Sequence, residues 1–248
     1  MKLLSLVMVL VCACGSEDTP GRRVEASLHI AGAATRSWTL ASGWTVTLDE
    51  ALVLVGPLYL RPPKRTTWSR LSLVPRAHAH GQTLVDGEVM GEYLSQIPFD
   101  VLGPELSAGV LASEAGPVDR LSIMLDVPRG AEARARGQGY HAYMRGHATR
   151  GADRVPFACG MRIDASSQET PTNLEARRRI DNVSVESSFP VEDGAQLRLW
   201  VHPERWFDFV SFDDHRGLDN PCARDGSAFA QQWYLGLRRP EAFSAELN

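Results

Sequence analysis

Apolar and polar residues alternate over short stretches along most of this chain, with the period of two expected of strands that bury one face. Trp44-Thr45-Val46-Thr47-Leu48 alternates in this way, and Ala51 to Leu60 is a β-rich apolar run interrupted at Gly56-Pro57 and ended by Pro62-Pro63. Val118 to Val127 alternates again, which places Val118, Leu121, Ile123 and Leu125 inward. Gly139 to Thr149, Val155 to Asp164 and Ile180 to Phe189 predict further strands. Asp193-Gly194 marks a turn before another, Gln196 to His202, in which Leu197, Leu199 and Val201 alternate with polar residues.

Helical patterning is sparse. Ser227 to Gly236 predicts a short helix, while Glu88 to Leu94 and Val101 to Leu111 predict helical turns. A regular alternation of strands and helices is missing, which disfavours a doubly wound parallel sheet. No repeat of fixed period stands out. The pattern predicts a mainly β fold, an antiparallel β-sandwich or related barrel with few short helices. Lys64 to Pro104 reads as a long excursion from the first sheet, and long excursions often carry function.

The first fourteen residues follow a different pattern. Lys2 is a lone positive charge, Leu3 to Val11 is apolar, and Val11-Cys12-Ala13 presents small residues before Cys14. Gly15-Ser16-Glu17-Asp18 ends the run, well short of the about 20 apolar residues that a membrane-spanning helix needs. This stretch resembles the lipobox of a bacterial lipoprotein precursor, with Cys12 standing where Gly, Ala or Ser is more usual. The resemblance covers residues 1–14 alone. It implies cleavage after Ala13, a diacylglycerol on the Cys14 thiol and acylation of the new α-amino group. The protein would then meet the membrane through its N-terminal lipid. Two or three acyl chains, at about 0.8 kcal/mol per buried CH₂, hold it there stably. Gly15 stands where an Asp would imply retention at the inner membrane, so the resemblance implies the outer membrane. An ordinary secretory signal cleaved nearby is the alternative and would release a soluble product. The chain thus divides into a cleaved signal peptide (1–13), a lipidated cysteine with polar tether (14–23) and a single β-rich domain (24–248).

Composition refines this picture. A hydrophobic content of 44% with 23% charged residues suits a packed core. The net charge of -4 becomes -5 once Lys2 is removed, which gives no basis for a nucleic-acid partner. An envelope protein, a glycan or a small ligand fits better. Lysine occurs at positions 2 and 64 alone, so arginine supplies nearly all the positive charge; GC-rich codon usage accounts for that before anion binding does. Of four cysteines, Cys12 leaves with the signal and Cys14 takes the lipid. Cys159 and Cys222 remain, and an even pair in an oxidising compartment predicts a disulfide. No CxxC spacing favours a pair of metal thiolates instead.

Three groups of residues could carry chemistry. On an extended segment His78 and His80 point to one side and, with Glu88 or the neighbouring Asp86 and Glu92, could hold a divalent transition metal. A solvated loop with surface histidines explains them equally simply. His141 and His147 lie about 20 Å apart on a straight strand and cannot chelate one ion together. Trp206, Phe207 and Phe209, set among Asp208, Asp213 and Asp214, suit a sugar platform or an oxygen-ligated calcium. An aromatic plug with acids capping a turn is the leading account of them. Nucleophile-elbow, P-loop, dinucleotide and SxxK signatures are missing. The sequence therefore points to a non-enzymatic ligand- or partner-binding protein. The rival is an envelope hydrolase acting on glycan or peptide through Asp208 and Asp213.

Overall fold

The alternating segments become strands, and eight of them close on one another. The computed structural model describes residues 21–32, 34–63, 89–126, 139–163, 171–187, 190–223 and 226–248. In chain order the strands are β1 (Arg23–Ala31), β2 (Ser37–Thr39), β3 (Thr45–Val55), β4 (Leu58–Arg61), β5 (Gly91–Tyr93), β6 (Ile97–Asp100) and β7 (Leu106–Glu114). They continue with β8 (Arg120–Met124), β9 (Ala142–Arg150), β10 (Asp153–Met161), β11 (Arg179–Ser187), β12 (Gln196–Val201) and β13 (Phe243–Leu247). Helix α1 (Pro171–Arg178) precedes β11, and α2 (Ala228–Leu237) lies between β12 and β13.

The barrel runs β1-β12-β13-β11-β8-β4-β5-β7 and back to β1. A second sheet runs β10-β9-β3-β2, with β6 also paired to β3. The fold is mainly β, as the alternation predicts, and it is a barrel with an added sheet. Antiparallel pairing is not universal: β1 lies parallel to β12, and β11 parallel to β13. Parallel neighbours need long crossovers, and both pairs have them. Most of the chain separates β1 from β12, and β12 with α2 separates β11 from β13.

Leu28, Ile30, Leu58, Leu60, Leu121, Ile123, Leu197 and Leu199 are fully buried on the barrel strands. Packed side chains therefore fill the barrel, as expected of an eight-stranded barrel whose inward positions are large. One contiguous apolar core joins it to the second sheet. In β3 the register against β9 shifts between Leu48 and Glu50. That bulge moves the inward set from Val46 and Leu48 to Ala51 and Val53, which is why the sequence reads as two runs instead of one long strand.

Helix α2 covers the inner face of the second sheet through an aromatic layer. Trp44, Phe157, Phe207, Phe212 and Phe229 meet with ring centroids 5.6 to 6.2 Å apart. The helix begins with Ser227 accepting from the Ala230 N–H at 3.2 Å, an N-cap that satisfies one otherwise unpaired donor. It ends against the 3₁₀ turn Pro203–Phe207, so closely that a Cβ on Gly236 would lie 2.3 Å from the Trp206 carbonyl oxygen. Helix α1 is pinned from α2: Arg238 donates to the Ala176 carbonyl at 2.7 Å, and the Tyr234 hydroxyl donates to the Arg177 carbonyl at 3.0 Å.

Several sequence expectations need correcting. The helical turns expected within Val101–Leu111 and Glu88–Leu94 give way to strands β7 and β5. Barrel closure recruits these segments, because tertiary pairing outweighs weak local preference. Helix α1 escaped notice because its sequence, PTNLEARR, carries no apolar stripe. Trp206 and Phe207 are buried as expected, whereas Phe209 stays 47% exposed with the Arg239 guanidinium over its ring.

The expected disulfide forms between Cys159 and Cys222, 63 residues apart. In the chain-entropy picture a loop of that size contributes about 4 kcal/mol. Reduction, or Cys222→Ser, is expected to lower the unfolding free energy by about that much in a urea titration. Gly236→Ala, measured the same way, is expected to cost about 1–3 kcal/mol, the usual range for overpacking.

Candidate functional site

Strand β10 ends the second sheet, so among the described residues one of its sides has no partner strand. Such edges expose backbone donors and acceptors and are normally blunted. Here the blunting is local. The Asn220 side chain imitates a neighbouring strand: its Oδ1 accepts from the Ala158 N–H and its Nδ2 donates to the Ala158 carbonyl, each at 3.2 Å. The same Oδ1 accepts from the Cys222 N–H at 3.1 Å, and the disulfide fastens Cys222 to the next strand residue. These contacts fix which residues of β10 face outward in the plane of the sheet. Ala158 does, so by the period of two Pro156 and Gly160 do as well. Pro156 has no N–H to leave unpaired, which suits an edge.

Gly160 is different. Its N–H and C=O lie on the open edge, and no hydrogen bond outside the strand ladder engages them among the described residues. Its missing side chain is replaced by a neighbour, since a Cβ there would sit 2.3 Å from Tyr140 Cζ. Tyr140 in turn stacks on Tyr143 at 6.2 Å, and the Arg162 guanidinium lies 4.9 Å from the Tyr140 ring centroid.

Beyond this edge a cleft of about 390 Å³ opens between the end of β10 and α2. Gly160, Met161 and Arg162 of β10 and its exit line it, with Arg177, Cys222, Ala230, Gln231, Trp233 and Tyr234 among the facing residues. Trp233 is fully buried, and its indole N–H has no hydrogen-bond partner. Among the described residues no Asp or Glu lines the cleft and Arg162 has no carboxylate partner. The cleft therefore offers donors from Gly160 and Arg162, and an acceptor from the Gly160 carbonyl. Its volume lies within the about 300–1,000 Å³ typical of small-ligand sites.

The residues singled out from sequence fall elsewhere. Cys14, His78, His80 and Glu88 lie outside the described residues, as do the signal segment and most of the excursion between Lys64 and Pro104. Among the described residues no group of three or more His, Cys, Asp or Glu side chains could hold a metal ion. His141 is buried just before β9, where its Nδ1 accepts from the Ile163 N–H at 3.2 Å. His147 is half-buried on the face of β9 opposite the core.

Asp208 pairs with Arg239 at 3.0 Å. Asp213 is clamped by Arg150 and Arg216, and Arg216 also reaches Asp153 at 3.2 Å. Hydrogen bonds from Arg150 and then Arg216 hold the Asp213 carboxyl below the usual carboxylate range. An acid so depressed holds no proton to donate at neutral pH. The carboxylates suggested for hydrolysis are thus committed to ion pairs that fasten the second sheet and α2 to the intervening turns. Sequence reasoning missed Gly160, Arg162, Gln231 and Trp233. Pro156 was the one available signal, because it marks an edge strand.

No family model matches this chain, and no curated protein or solved structure is similar to it.

The ion-pair cluster has a signed consequence. Asp213 has a lowered pKa when folded, so its stabilisation is present above the ordinary carboxylate pKa and is lost as pH falls through the folded value. In thermal melts from neutral pH down through about pH 5 and below, Asp213→Asn is expected to be less stable than the native chain near neutrality. The two curves should converge toward the acid end.

Proposed function

We propose that this chain is a lipid-anchored protein of the cell envelope, held at the outer membrane through Cys14. Its folded part serves a non-enzymatic binding role. The observation that carries the binding role is the cleft between β10 and α2, which combines an open strand edge with arginine side chains and, among the described residues, no acidic lining side chain. The filled barrel interior supports the same reading, because it directs any ligand to the outside of the barrel. Envelope placement is supported by the apolar Leu3–Val11 run ending at Cys14 and by a disulfide that an oxidising compartment maintains.

The placement has a direct test. Cys14→Ser is expected to lose metabolic labelling with palmitate and to move the protein from the membrane fraction to the soluble fraction. Labelling that persists in this variant would transfer the lipid to another residue and overturn the assignment of Cys14.

A further inference from the structure

We infer that the cleft binds a short extended peptide by its carboxylate end. The peptide backbone adds to the open edge of β10 at Gly160, and the carboxylate meets Arg162. This inference rests on the reading of the cleft as the binding surface and names what that surface takes.

The geometry of the edge supplies the first part. Asn220 occupies one repeat of β10 with a paired amide donor and acceptor, and the next repeat, Gly160, presents the same pair of groups with nothing bonded to them among the described residues. The group that satisfies the first repeat is an amide. A ligand that satisfies the second in the same way is also an amide, and a peptide unit brings both donor and acceptor at strand spacing. Addition of an extended peptide to a sheet edge is a recurrent mode of recognition, in which the main chain supplies affinity and flanking pockets supply selectivity.

Charge supplies the second part. Arg162 sits two residues beyond Gly160, where the chain leaves β10, and it lines the same cleft. Its guanidinium rests on Tyr140 and meets no carboxylate among the described residues. Guanidinium groups bind carboxylates through two parallel hydrogen bonds, stronger and more directional than neutral ones. Among the described residues no acidic side chain lines the cleft to oppose a carboxylate. The apolar parts of Met161, Ala230 and Trp233 form a surface for a small aliphatic side chain.

The test uses the full chain in detergent micelles and a pool of N-terminally fluorescein-labelled tetrapeptides with free C-termini, read by fluorescence anisotropy. The same pool with C-terminal amides, and sodium acetate as competitor, complete the set. The free-acid pool is expected to bind, with amidation weakening binding by about tenfold or more. Arg162→Gln is expected to erase that difference, and Ala230→Trp, which fills the cleft, to abolish binding. Circular dichroism and the absence of free thiol would check that both variants keep the fold. Binding by Ala230→Trp equal to that of the native chain would overturn the inference. So would an undiminished preference for free acids in Arg162→Gln. Acetate competing as well as the peptides would keep the cleft as a binding site and overturn the peptide. Failure of both peptides and acetate to bind up to about 1 mM would overturn the binding reading as well, while leaving the Cys14 assignment to its own test.

Discussion

Closing a barrel requires that no strand be left with an unpaired side, and here closure waits on β13. Strand β12 pairs with β1 on one side, and β11 pairs with β8, but the gap between β12 and β11 is filled only by Phe243–Leu247. Until that strand arrives, two edges of the barrel expose backbone groups that cost free energy if buried unpaired. The chain reaches the gap by way of the 3₁₀ turns and α2. The position of α2 is therefore set at both ends, by β12 before it and β13 after it. The Gly236 contact with Trp206 and the aromatic layer then hold it against the second sheet. The cleft is a consequence: it is the space left where α2 passes the end of β10, the edge strand of the second sheet.

Arginine does much of the remaining fastening. A guanidinium presents five donors in a plane and stays charged, so one side chain can tie several carbonyls and a carboxylate together. Arg178 donates twice to the Ile163 carbonyl, at 2.9 and 2.8 Å, and once to Asp126 at 3.0 Å. Arg238 joins Ala176, Arg179 and Tyr234. Arg150 links the Ser42 carbonyl to Asp213 and lies 4.7 Å over Trp44. The chain carries arginine almost throughout in place of lysine, and the fold exploits what a lysine could not supply. Arg162 differs from these three, because among the described residues its contact is a ring and not an acceptor.

Much of the barrel was legible because its signal is local. Leu121, Ile123 and Leu125, and Leu197, Leu199 and Val201, alternate in sequence and are buried as that alternation requires. The short C-terminal helix was legible from its Ser227 start. The disulfide followed from counting cysteines once two were set aside. Segments whose state is decided at a distance were not legible. Leu106–Glu114 is a strand because β1 and β5 flank it, although much of its surface is exposed. The site was the least legible part. Gly160 acquires its meaning from Asn220, 60 positions later in the chain, which marks the outward side of β10. Trp233 reads from sequence as one more core aromatic, and only the surrounding packing leaves its N–H without a partner.

The disulfide links the two halves of the functional reading. Cys222 borders the cleft, and its bond to Cys159 holds the segment carrying Asn220 alongside β10. Breaking that bond frees one wall of the cleft and also loosens the amide pair that blunts the edge at Ala158. The open edge would then extend from one repeat to two, and the boundary proposed to select a short peptide over a longer strand would be lost. An oxidising environment thus does more than stabilise the fold by shortening a loop of the unfolded chain. It sets how much of the β10 edge is open, so the envelope placement proposed from Cys14 and the peptide selectivity proposed for Gly160 and Arg162 depend on the same sulfur–sulfur bond.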